Sequence, residues 1–103
     1  TEKTNDEIKE IRLSGEVLNN YVGTYKNNKY NVSIKIYRAN SRIYGDLSNG
    51  SGSNMMFMAL TDTKFFLPDI TRIKTMADFI KENGKVTKLI LTQEEAVEFI
   101  KIE

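Results

Sequence analysis

Lys74-Thr-Met-Ala-Asp-Phe-Ile-Lys-Glu-Asn-Gly-Lys-Val-Thr-Lys-Leu-Ile-Leu-Thr92 carries two competing patterns. Ile70, Ile73, Ala77 and Ile80 recur at helical spacing behind Asp69, which stands where a cap would. Ile73, Thr75, Ala77 and Phe79 alternate as a strand does. Asn83-Gly84 weighs the choice. Both central positions of a type I′ turn need positive φ, which asparagine and glycine tolerate, and such a turn between β-prone runs marks a hairpin. We therefore read 74–81 as a strand paired with 85–92, against the helical pattern over 70–81.

Working outward, other segments repeat the two-residue alternation. In Tyr30–Arg38, Val32, Ile34 and Ile36 point one way and Asn31, Ser33, Lys35 and Tyr37 the other. Ala39-Asn40-Ser41 turns the chain into Arg42–Ser48, where Ile43, Gly45 and Leu47 face in and Tyr44 faces out. Asn49–Ser53 reads as a flexible loop, Asn54–Thr61 as a methionine-rich strand, and Lys64–Pro68 as a short strand stopped by its proline. Gln93-Glu94-Glu95 turns once more, and Ala96–Glu103 closes with Val97, Phe99, Ile100 and Ile102.

Upstream, residues 1–10 are polar and charged and read as a flexible leader or linker, with one domain over 11–103. The opening Thr-Glu-Lys-Thr reads as a processed or truncated start. Ile8, Ile11 and Leu13 begin a helix or a short extended segment. Ser14 then caps a helical turn over Gly15–Asn20 that lays Val17 and Leu18 on the core and plugs or covers one end of the sheet. Gly23, in the β-prone run that follows, marks a bulge or a close backbone approach. About eight short strands at roughly ten-residue spacing predict an all-β, antiparallel sandwich or up-and-down barrel, and the barrel is preferred because closure removes exposed edges. Eight strands leave an interior about wide enough for side chains or one small ligand.

Composition excludes much chemistry. The 103 residues contain neither cysteine nor histidine, which removes disulfides, thiolate nucleophiles and zinc sites built on those residues. Fifteen basic residues against 14 acidic ones, a net charge of +1, give no electrostatic case for nucleic acid. No apolar run approaches the roughly 20 residues of a membrane-spanning helix.

Local motifs add little. The Asn49–Ser53 loop lacks the lysine and following helix of a phosphate cradle. Ser33 and Lys35 do not have the Ser-x-x-Lys spacing. Tyr25-Lys26-Asn27 has the letters of a Tyr-x-Asn element without a partner nucleophile, and Glu94-Glu95 and Asp6-Glu7 read as solvated charge. Asn31-Val-Ser33 and Asn49-Gly-Ser51 are formal glycosylation sequons. No catalytic, cofactor or metal residue emerges.

Contact residues are a different matter. Tyr37 and Tyr44 face out on neighbouring strands beside Arg38 and Arg42, suited to a sugar, a peptide or a partner domain, or to plain cross-strand pairing. Met55, Met56, Phe57 and Met58 suit either core packing or an apolar ligand, with Met56 and Met58 as the candidate contacts.

One resemblance sharpens this picture. Glu10-Ile-Arg-Leu-Ser-Gly-Glu-Val-Leu-Asn-Asn-Tyr-Val-Gly-Thr-Tyr25 resembles the opening of the lipocalin-like domain that follows the catalytic domain of bacterial β-lactamase-related serine hydrolases. Phe65-Phe66-Leu67, Phe79-Ile80-Lys81, Gly84-Lys-Val-Thr-Lys-Leu89 and Phe99-Ile-Lys-Ile102 are similar to later elements of that domain, in the same order. The stretch from Phe79 to Gly84 is shorter than the family pattern, which opens the register of that hairpin.

The resemblance implies an eight-stranded barrel that is not itself catalytic and needs no cofactor. It implies a serine hydrolase catalytic domain as partner, in cis or in trans, with packing, substrate access or oligomerisation as the role. It also implies an extracytoplasmic location. The competing expectation is a free-standing small-barrel binding protein for an apolar ligand or peptide.

Overall fold

The computed structural model describes residues 10–50, 52–68 and 74–102. A short helix, α1 (Gly15–Asn19), precedes eight strands: β1 (Gly23–Asn27), β2 (Val32–Ala39), β3 (Arg42–Leu47), β4 (Met55–Ala59), β5 (Lys64–Phe66), β6 (Met76–Glu82), β7 (Lys85–Thr92) and β8 (Ala96–Lys101). Each strand pairs antiparallel with the next, and β8 returns to β1, so the sheet closes as an up-and-down barrel. Closure leaves every strand two neighbours, the physical reason a sheet this small needs no covered edge.

The β6–β7 hairpin bears out the strand reading. Met76 faces Thr92 and Glu82 faces Lys85 across Asn83-Gly84, whose φ values of 56° and 80° are both positive, as a type I′ turn requires. Thr75, Ala77 and Phe79 point inward and are buried. The helical alternative over 70–81 fails for the residues described, and its Ile70–Ile73 part lies outside them. The register question also resolves. The turn is short because a bulge absorbs the extra residue: Ile80 pairs with Lys88, but Lys81 pairs with Val86. Thr87 is the unpaired residue, and skipping it lets Val86 and Leu89 both face inward.

The other strands and the helix cap fall within one or two residues of their expected bounds, and the leader expected over 1–10 lies outside the described residues but for Glu10. Ser14 Oγ accepts from Val17 N–H at 3.2 Å, and the capped turn lays Leu18, fully buried, and Val17, half-buried, on the core. Gly23 opens β1 with φ 148°. Gly45 faces inward at a close approach. A Cβ there would lie 3.0 Å from Ile34 Cδ1 and 3.1 Å from Phe57 Cε1. One expectation is corrected. Tyr30 stands outside β2, in the turn ended by Asn31 at φ 54°, and is 52% exposed. Ile100 and Ile102 are exposed, because β8 turns only Val97 and Phe99 toward the interior.

Candidate ligand site at the open mouth

Strand direction alternates around the barrel, so the ends of odd strands and the starts of even strands meet on one rim. The opposite rim is sealed. There Tyr21, wholly buried, stacks on Phe79 at 4.3 Å between ring centroids and meets Phe65 edge-on at 5.6 Å. Tyr21 donates its hydroxyl to the Asp62 carbonyl, and Tyr25 donates to the Tyr21 carbonyl at 2.8 Å. Burial raises the pKa of both phenols above the ordinary value, helped by Asp62 at Tyr21 and by Tyr21 at Tyr25.

The chain before α1 straps this end to the wall. Ile11 N–H donates to the Ala59 carbonyl at 2.8 Å, and Arg42 donates to both Glu10 oxygens at 2.6 and 2.7 Å. The Arg42 hydrogen bonds hold the Glu10 carboxyl below its ordinary pKa, against a smaller opposing effect of burial.

Among the described residues the other rim opens into a cavity of about 340 Å³. Its walls are apolar: Val32, Leu47, Met55 and Leu67 on one side, Leu91, Val97 and Phe99 on the other. Tyr30, Asn49, Thr75, Gln93 and Glu95 supply the polar groups. The volume falls at the small end of the roughly 300–1,000 Å³ range of ligand pockets and exceeds the ~150 Å³ apolar cavity that admits benzene.

The rim is ordered by hydrogen bonds. Buried Asn27 donates Nδ2–H to the Glu98 carbonyl at 2.8 Å and accepts Tyr30 N–H at 2.6 Å, which fixes the turn carrying Tyr30. The Tyr30 hydroxyl donates to Glu95 Oε2 at 3.3 Å. Gln93 donates Nε2–H to Thr75 Oγ1 at 3.1 Å; Thr75 is 1% exposed although it borders the cavity. An apolar chamber with a few placed polar groups at its lip can hold a small amphiphile by its tail and orient its head.

The contact residues expected from sequence lie elsewhere. Strand alternation splits the methionine run: Met55 and Phe57 point inward, Met56 and Met58 point out. A pocket built of all of Met55–Met58 is therefore corrected, since successive strand residues face opposite sides of a sheet. Met55 alone of the four borders the open cavity.

Tyr37 and Tyr44 are directly opposed on the outer wall with centroids 5.9 Å apart, and Met56 lies opposite Tyr44. Met58 lies opposite Phe66 on the same face. The structure thus brings Tyr37, Tyr44 and Met56 into one outer row, with Met58 beside it, and keeps them apart from the mouth. Much of that row's polarity is already engaged. Tyr37 is hydrogen-bonded with Asn54 and reaches Asp46 at 3.5 Å, and Arg42 is held by Glu10; Arg38 lies on the other face of β2, opposite Ile43, and donates to the Asn40 carbonyl at 3.2 Å. Desolvation, then Asp46, raises the Tyr37 pKa.

Sequence reasoning missed the mouth because its lining comes from five strands, one residue or two from each, and from the segments that connect strands. The available signal was that Val32, Leu47, Leu91 and Val97 each stand beside a turn, where an inward residue meets the barrel's end. Among the described residues no group of His, Cys, Asp and Glu suits a metal ion.

A family model described as a domain of unknown function (DUF3471) matches residues 9–103. The chain belongs to this family. The match spans both the strap and the whole barrel. Neither a curated protein nor a solved structure matches the chain. No helix among the described residues is long and apolar enough to cross a membrane.

Proposed function

We propose that this DUF3471 domain is a non-catalytic accessory module of a β-lactamase-related serine hydrolase, and that it acts by binding part of a substrate or product in its open mouth. The observation that carries the binding role is the contrast between the two barrel ends: one is filled by Leu18, Tyr21 and their aromatic neighbours, the other opens on an apolar chamber of about 340 Å³. The link to a serine hydrolase of peptides or β-lactam-like amides is supported by the order of the family-like segments, from Glu10–Tyr25 to Phe99–Ile102. In this reading the module sits beside the catalytic domain and governs access to it. An extracytoplasmic location follows from the same relationship.

The decisive experiment is an immunoblot of the native organism with an antibody to the domain, run beside labelling by a serine-reactive probe. A labelled band well above 11.8 kDa supports the reading. An unlabelled band near 11.8 kDa, with no labelled protein co-precipitating, overturns the hydrolase link. The cavity supports a second reading equally well: a free-standing small-barrel binding protein for an apolar ligand or peptide. That second result of the blot is the one it requires.

A further inference from the structure

The polar groups at the mouth have a chemical bias. Two of the rim's donors are turned onto the rim's own acceptors: Tyr30 O–H points at Glu95 Oε2 and one Gln93 Nε2–H at Thr75 Oγ1. Toward an incoming molecule Glu95 keeps acceptor capacity, and Gln93 keeps its amide oxygen and a second N–H. An ionised carboxylate offers roughly four lone-pair sites, of which Tyr30 uses one, and the Gln93 amide oxygen adds two more. Glu95 is also the charged residue among the described residues lining the cavity. Beneath this lip the walls are hydrocarbon, with Leu91 and Val97 opposed on adjacent strands just below Gln93 and Glu95.

From this we infer that the mouth takes an amphiphile with a short apolar tail and a hydrogen-bond-donating, preferentially cationic head, such as a primary ammonium. The tail lies among Val32, Leu47, Leu91 and Val97, and the head donates to Glu95 and the Gln93 amide oxygen. Anionic heads meet a carboxylate and acceptor oxygens, and are disfavoured. The inference rests on the mouth being a binding site and goes beyond it by naming the ligand's chemistry. Because Glu95 is exposed, its discrimination is modest: about three- to fivefold between an ammonium and a neutral hydroxyl on the same tail.

The test is calorimetric titration of the full chain with n-octylammonium, 1-octanol and octanoate at fixed ionic strength, each below its self-association limit. We expect octylammonium to bind most tightly, octanol next and octanoate least. In Glu95→Gln the first two should converge, with octanol affinity unchanged. Equal affinities, or a preference for octanoate, would overturn the head-group assignment while leaving the apolar mouth standing. No binding by any of the three would overturn the mouth as a ligand site as well. Val97→Lys, which puts an ammonium into the chamber, should weaken octylammonium and octanol. Binding undiminished in that variant would place the ligand elsewhere and defeat the proposal.

Discussion

At the strapped end, Tyr21, Phe65 and Phe79 meet with ring centroids 4.3–5.6 Å apart, and the buried phenol hydroxyls are given to backbone carbonyls. At the mouth, Val32, Leu47, Leu91 and Val97 sit against the same core only partly buried, and the polar groups there pair with one another near water. Strands of one barrel have thus been given two purposes. Large rings concentrate cohesion at one end, and shorter aliphatic side chains leave room at the other. Rigidity at the first end is what allows vacancy at the second, since a barrel unfilled throughout would lose the dispersion contacts that hold it closed.

The sharpest way to break this comparison is to equalise the ends. Phe79→Ala removes the ring that meets Tyr21, Tyr25, Phe57 and Phe65 and should cost about 3–5 kcal/mol in a urea titration. Leu91→Ala at the mouth should cost only about 1 kcal/mol, because its side chain is already partly in water. Equal losses would show that the mouth is as cohesive as the plug.

Tyr25→Phe comes next, at about 1–2 kcal/mol, because it leaves the buried Tyr21 carbonyl without its partner. It also carries a pH signature. Burial raises the folded-state pKa of Tyr21 and Tyr25, so the unfolded chain loses their protons first. Their contribution is complete below about pH 10 and declines as pH climbs toward the folded values. Urea midpoints at about pH 8 and about pH 11 should therefore differ less in Tyr25→Phe than in the parent chain.

Gly84→Ala places a side chain at φ 80° in the turn at the plugged end, with open space around it. The cost is thus conformational, about 1 kcal/mol, and ligand affinity at the distant mouth should not move.

Smallest is Glu10→Gln, which weakens the strap by replacing the carboxylate of a half-exposed ion pair. The melting temperature should fall slightly at neutral pH. Because Arg42 lowers the folded-state pKa of Glu10, the pair's contribution is present above the ordinary value of 4.5 and lost as pH drops through the folded value. Parent and variant melting curves should accordingly converge in acid.

Much of the barrel was legible in the residues. Alternation of Val32, Ile34 and Ile36, of Ile43, Gly45 and Leu47, and of Thr75, Ala77 and Phe79 set the inward faces, and Asn83-Gly84 carried its hairpin in two letters. These signals are local, so a short window contains them. Tyr21 was not legible as the plug, since nothing around it says that its ring reaches Phe79, far along the chain. The Met55–Met58 run looked like one patch, and the strand's alternation divided it between interior and wall.

By itself, then, the sequence determined strand identity, turn chemistry, the helix cap and the absence of histidine and cysteine chemistry. Each of these depends on a residue and its near neighbours. Tertiary structure decided the bulge at Thr87, the part Tyr21 takes in sealing one rim, the strap from Glu10 to Arg42, and the assembly of the mouth from five strands and the segments between them. The physical reason is closure. Which end of a barrel is filled depends on the summed volume of side chains that meet only when β8 pairs with β1.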